Sequence, residues 1–90
     1  AGPPSFCGAI ELKGFEAEIC GLLNPVVDAY PEVEIGSYPR RVDGDWFARI
    51  TVEGTGREAV EKALNRLVDD LGERVLDVES VIATDDPSAL

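Results

Sequence analysis

The groups best able to do chemistry in this chain lie between Gly36 and Arg41, in the order Gly-Ser-Tyr-Pro-Arg-Arg. Ser37 brings a hydroxyl and Tyr38 a phenol. Arg40 and Arg41 bring two adjacent guanidinium ions, charged at any ordinary pH. If this stretch is a loop, backbone amides around Gly36 and Ser37 join those side chains in a cradle for a phosphate or a carboxylate. Pro39 cannot donate a ladder hydrogen bond, which favours a break in any strand here. Arg49, in a neighbouring strand, would point the same way. A plainer reading of the same residues is a β-turn with two solvated arginines. Both readings stay open at the level of residue types.

The rest of the chain makes this cluster stand out. Eighteen carboxylates face eight cations in 90 residues, for a net charge of −10. Such a surface repels phosphate backbones and anionic bilayers, so nucleic acid and membranes are poor partners. If the protein touches a small anionic ligand, the arginine cluster is the first place to look. Only Lys13 and Lys62 are lysines, and the acid-rich, Arg-over-Lys balance resembles the adaptation of salt-loving organisms. Self-repulsion of this size destabilises the compact state until salt screens it, so the fold is expected to be firmer in concentrated KCl. No run approaches the ~20 apolar residues of a membrane span. The N-terminal residues lack a cationic stretch before an apolar one, so a cytoplasmic setting is expected. The chain begins without Met, either because the Met was removed or because the residues come from a longer chain.

Other reactive groups are sparse. There is no His, which removes His-assisted nucleophiles, proton shuttles and imidazole metal ligands together. Cys7 and Cys20 have neither metal-site spacing nor a CxxC arrangement, and read as small hydrophobes. The acidic pairs Asp69-Asp70 and Asp85-Asp86 read as solvated surface, while Asp43 and Asp45 flank Gly44 in a turn. No catalytic residue, metal ligand or cofactor site is nominated on this chain. Trp46, beside Phe47, reads as a core anchor.

The elements that would position the cluster follow from periodicity. Residues 1–6 are Gly/Pro/Ser-rich and read as a linker. Cys7 to Lys13 alternate as a strand, with Gly8, Ile10 and Leu12 on one face. Ile19, Leu22, Leu23, Val26, Val27 and Tyr30 recur at helical offsets, with Pro25 predicting a kink or a restart after Asn24. Glu32 to Ser37 form a second strand, which gives way to the loop. Asp43-Gly44 signals a hairpin turn into a third strand, Trp46 to Glu53. Thr55 and Glu58 fit a capping box ahead of a helix bearing Val60, Ala63, Leu64, Leu67, Val68 and Leu71, closed by Gly72. A fourth strand runs from Arg74 to about Ile82. Leu76 and Val78 fit one register of it, Val75 and Val81 the other. Residues 83–90 read as an acidic, disordered tail.

The order β-α-β-β-α-β predicts a single ferredoxin-like α+β domain over residues 7–82: a four-stranded antiparallel sheet with two helices on one face. The opposite face would carry Glu11, Lys13, Glu34, Phe47, Arg49 and Glu53. Phe47 alone is too little for an RNA platform. The spacings of metallochaperones, KH domains, acylphosphatases and P-loops are absent.

The segment around the cluster, EVEIGSYP, resembles the (I/L)GSYP motif in the molybdopterin-binding-like (MoCF-type) domain of FAD synthases and CinA-like competence/damage-inducible proteins. Upstream, Glu16-Ala17 and Ile19 with the following helix are similar to that family. Downstream, an aromatic residue and then ARITVEG resemble its next strand. The resemblance covers roughly Phe6 to Leu71. It implies a small C-terminal α+β subdomain. In that family the molybdopterin or nucleotide site, with its Thr-Gly-Gly phosphate loop and acidic metal ligands, belongs to a preceding α/β domain, and some members hydrolyse pyrophosphates such as FAD or ADP-ribose. Those motifs do not occur here, so only Gly36, Ser37, Tyr38 and Pro39 map onto the family. The expected role is a non-catalytic accessory module that helps to assemble or cover the ligand site of that preceding domain, or that holds two protomers together, with the GSYP loop facing the neighbouring domain and Arg40 or Arg41 reaching a phosphate or carboxylate. The rival expectation is a free-standing regulatory domain that binds a small anion at a homodimer interface.

Overall fold

The computed structural model of the chain describes residues 5–14 and 16–84. Seven elements follow in order: β1 (Ser5–Lys13), α1 (Glu16–Ala29), β2 (Glu34–Val42), β3 (Asp45–Gly54), α2 (Arg57–Leu71), a single 3-10 turn (Gly72–Arg74) and β4 (Val75–Thr84). The sheet order is β2-β3-β1-β4, with every neighbouring pair antiparallel. Both helices pack on one face, giving the expected ferredoxin-like architecture. The core lies between the layers. Ile10 and Leu12 of β1 and Ile50 and Val52 of β3 meet Ile19 and Val26 of α1 and Val60, Leu67 and Leu71 of α2, all essentially inaccessible.

Several boundaries differ from expectation. β1 begins at Ser5, inside the expected linker, whose residues 1–4 lie outside the described residues. β4 runs to Thr84, two residues into the expected tail, whose remainder also lies outside them. The helix α1 continues through Pro25 without restarting. Proline at this point frees the carbonyl of Gly21, four residues back. Gly21 and Pro25 are both exposed, so water can take that carbonyl. Val27, placed in the apolar set by spacing, is 44% exposed.

The capping box is not formed. Gly56 is the N-cap of α2, without a side-chain cap bond, and Val60 N–H donates to its carbonyl at 3.1 Å. Thr55 therefore lies one residue too early, and Glu58 pairs forward with Lys62 instead. Gly72 closes the helix at φ 54°, donating its N–H to Val68 O, as the sequence predicts.

The two registers weighed for β4 are both used. Val75 lies opposite Leu12 and Val78 opposite Ile10, with register shifts between Glu11 and Leu12 and between Cys7 and Ala9. Each shift inserts one residue into β4. Val75, Val78 and Val81 are consequently three apart yet share the helix side; Val81 is buried there, Val78 at the sheet's margin remains exposed, and Leu76, at the first shift, is more exposed still.

Candidate functional site

The segment 36–41 is strand, not loop. β2 continues through it to a two-residue turn at Asp43-Gly44, with φ 52° and 86°, and Pro39 lies opposite Ala48 within the ladder. The expectation failed because β2 is an edge strand, where a proline nitrogen can face outward at no cost to the sheet. The outward direction follows from the ladder. Trp46 O accepts from Gly14 N–H at 3.0 Å, so Trp46 is turned towards β1 and away from its β2 partner Arg41. Alternation then directs the backbone groups of residues 35, 37, 39 and 41 to the open edge.

Strand geometry also divides the cluster. Successive side chains take opposite faces. Gly36, Tyr38 and Arg40 lie on the open face, opposite Thr51, Arg49 and Phe47. Ser37, Pro39 and Arg41 lie on the helix side, opposite Ile50, Ala48 and Trp46. The structure thus joins Tyr38, Arg40 and Arg49 on one face and separates them from Ser37 and Arg41. Consecutive amides of a strand point in opposite directions, so they do not form a cradle.

On the open face, Glu11, Tyr38, Arg40 and Arg49 border a shallow concavity of about 280 Å³. A Cβ on Gly36 would stand 3.2 Å from the Tyr38 ring and 3.0 Å from Thr51 Oγ1, so the glycine is the floor over which the tyrosine folds. Arg49 is already engaged. Its Nη1 donates to Glu11 Oε1 at 2.7 Å and pairs with Glu79 as well. The hydrogen bonds to Glu79 and then Glu11 hold the guanidinium further into its charged form. Arg49 therefore ties β3, β1 and β4 together across the face and has little charge left for a ligand.

Arg40 and Arg41 differ from the other cations. Lys13 pairs with Asp45, Arg57 with Glu61, Lys62 with Glu58, Arg66 with Asp70 and Arg74 with Glu18, besides the Arg49 pairs. Among the described residues, Arg40 and Arg41 alone of the eight cations lack a carboxylate partner. Arg41 stacks its guanidinium 5.8 Å from the Trp46 ring centroid. Trp46, expected in the core, is only half-buried beneath it. The Ser37 hydroxyl is enclosed on the helix side without a hydrogen-bond partner.

Sequence reasoning missed the ion-paired state of Arg49. The signal is present: Glu11 and Arg49 both fall on open-face positions of strands adjacent in this fold. No group of three or more metal-ligating side chains occurs among the described residues, and none of their helices is long and apolar enough to cross a membrane.

The fold defines the chain as a ferredoxin-like α+β domain, with the cluster on an open edge of its sheet. Comparisons with known proteins narrow this class. Residues 4–80 match the family described as FAD synthase, middle domain, and the chain belongs to that family. A protein of Archaeoglobus fulgidus is 34% identical over 65 residues, covering 72% of this chain and 27% of the relative. The match thus spans about a quarter of that relative's length. Among solved structures, a microcompartment protein from Desulfitobacterium hafniense superposes with a TM-score of 0.66 at 17% identity, covering 99% of this chain and 46% of the other. The de novo designed protein Foldit4 gives 0.64 at 16%, covering 91% and 98%. The C-terminal domain of MgtC from Mycobacterium tuberculosis gives 0.55 at 12%, covering 92% and 89%. These three likenesses concern the fold alone.

Proposed function

We propose that this domain is a non-catalytic interaction module of a larger FAD synthase-like, nucleotide-handling protein, and that its contact element is the β2 edge from Gly36 to Arg41. The observation that carries this reading is the charge census. In a chain of net charge −10, the two cations that lack a carboxylate partner among the described residues are neighbours on one exposed edge strand. Charged groups left free in this way are suited to a carboxylate or phosphate supplied from outside the domain. Membership of the FAD synthase middle-domain family, and a relative much longer than the match, supports a module within a longer chain. A molybdopterin-like or nucleotide ligand would then be bound chiefly by other parts of that protein, as in MoCF-type and CinA-like proteins, and this module would help to assemble or cover the site.

The test is made in the full-length parent protein. Ser37→Ala, Tyr38→Phe, Arg40→Gln and Arg41→Gln each leave the circular dichroism and melting profile of this domain intact. A charge-assisted contact contributes about 1.5–3 kcal/mol, so losing an arginine weakens ligand affinity or turnover by about tenfold or more. Unchanged affinity and turnover in all four variants would remove the contact role.

A second reading is a free-standing regulatory domain with a small anion at a dimer interface. The concavity beside Tyr38 and Arg40 favours it. Titration with inorganic phosphate, followed by chemical shifts of the Tyr38 and Arg40 amides, separates it from the first: only the second reading expects saturable shifts in the isolated chain.

A further inference from the structure

We infer that β2 is the edge along which two copies of this chain pair, antiparallel about a two-fold axis passing beside Ser37. This inference rests on the reading of β2 as the contact element and names what it contacts.

The edge is self-complementary. One end of β2 and its approach carry Glu32 and Glu34, with Glu53 directly opposite Glu34 on β3. Like charges facing each other across a ladder are destabilising unless something neutralises them. Among the described residues, none of the three carboxylates has a cationic partner. The other end carries Arg40 and Arg41. A two-fold axis superposes each end on the opposite end of the second copy, as an isologous interface requires. With Ser37 opposite the partner's Ser37, Glu34 falls opposite the partner's Arg40 on the open face, and the reverse holds by symmetry. Glu34 and Arg40 of each copy are thereby paired across the axis on the open face, while Arg41 stays on the helix side against Trp46.

The backbone fits the same register. Residues 35, 37, 39 and 41 direct their groups outward, so Ser37 can exchange two hydrogen bonds with its symmetry mate. Ile35 N–H can donate to the partner's Pro39 carbonyl. Pro39 returns nothing to Ile35, so the ladder is interrupted on each side of the axis. The pairing is therefore short, and charge must supply what the ladder lacks.

Sedimentation equilibrium of the chain, at one fixed and moderate KCl concentration, tests this directly. The expected mass is twice the 9.7 kDa of the chain. Arg40→Glu alone and Glu34→Arg alone each weaken the dimer by about tenfold or more, as expected for losing charge-paired contacts across an interface. The combined E34R/R40E variant recovers the dimer, because the pair is re-formed with its signs exchanged. Circular dichroism confirms that each variant is folded. A monomeric parent chain, a dimer indifferent to both reversals, or a combined variant weaker than either single one overturns the inference. If the chain is monomeric while Arg40→Gln still impairs the full-length protein, the contact role stands and the second-copy partner falls.

Discussion

At the scale of single residues, the two thiols make a sharp contrast. Cys20 is exposed on α1, whereas Cys7 is half-buried on β1. Burial pushes the Cys7 thiol above its ordinary range, and the nearby charge of Glu53 adds to that. Thiolate is the reactive form. A disulfide-exchange reagent at mildly alkaline pH should thus titrate one thiol rapidly, at Cys20, and the second slowly, at Cys7. Equal rates would contradict the assigned environments. The sign of the linkage follows from the same shift. The folded chain holds the Cys7 proton more tightly than the unfolded chain does, so this contribution is present below the unfolded thiol pKa and is lost as pH rises through the folded value. What was legible at this scale was residue type. The sequence marked Tyr38 and Arg40 as able to bind, but could not show that Gly36 underlies the tyrosine ring, because that contact depends on which face each residue takes.

At the scale of elements, helix and sheet meet tightly at Gly8. A Cβ there would lie 2.8 Å from Leu64 Cδ2, 3.2 Å from Val81 Cγ2 and 3.3 Å from Glu79 O. The glycine allows α2 to settle onto β1 and β4. Gly8→Ala is an overpacking change that should destabilise the domain by about 1–3 kcal/mol. For a chain of this size each kcal/mol lowers the melting temperature by about 4–8 °C. A thermal melt checks it, and an unchanged midpoint would mean that α2 is not held where the structure places it. Periodicity revealed the elements themselves well, because buried faces impose it. Ile10, Leu12, Ile50 and Val52 alternate, while Val60, Leu64, Leu67 and Leu71 repeat at helical spacing. It misjudged β2 because a proline within an alternating run carries two meanings, an end or an edge. Only the strand order, a long-range property, decides between them. It left β4 in two registers for a similar reason: a bulge is a local insertion that the partner strand reveals and the strand's own residues do not.

At the scale of the whole molecule, charge dominates. The chain carries −10 on a body measuring 42 × 29 × 17 Å. Its ion pairs lie at the surface, where such pairs contribute about 0–1 kcal/mol each. They therefore offset little of the net repulsion. Raising KCl from dilute buffer towards molar levels should raise the melting temperature, because screening weakens repulsion among many charges more than it weakens a few short pairs. A midpoint that falls or stays level with KCl would show that the pairs, not the net charge, control stability. Composition made the net charge readable at once. The fold class was legible from element order, and the likeness to a designed protein at 16% identity shows how little particular sequence that architecture demands.

The two outer strands of the sheet are not equivalent. β4 carries two register shifts, whereas β2 keeps one register throughout and lacks a single outward donor, at Pro39. A sheet with two receptive borders can recruit neighbours without end, which is the route to fibres. A sheet with one receptive border has a stoichiometric ceiling: once that border is occupied, the product offers only the irregular ones. This chain would therefore count to two and stop. Pro39→Val, by adding an outward amide, should raise the affinity of the pair without raising its number.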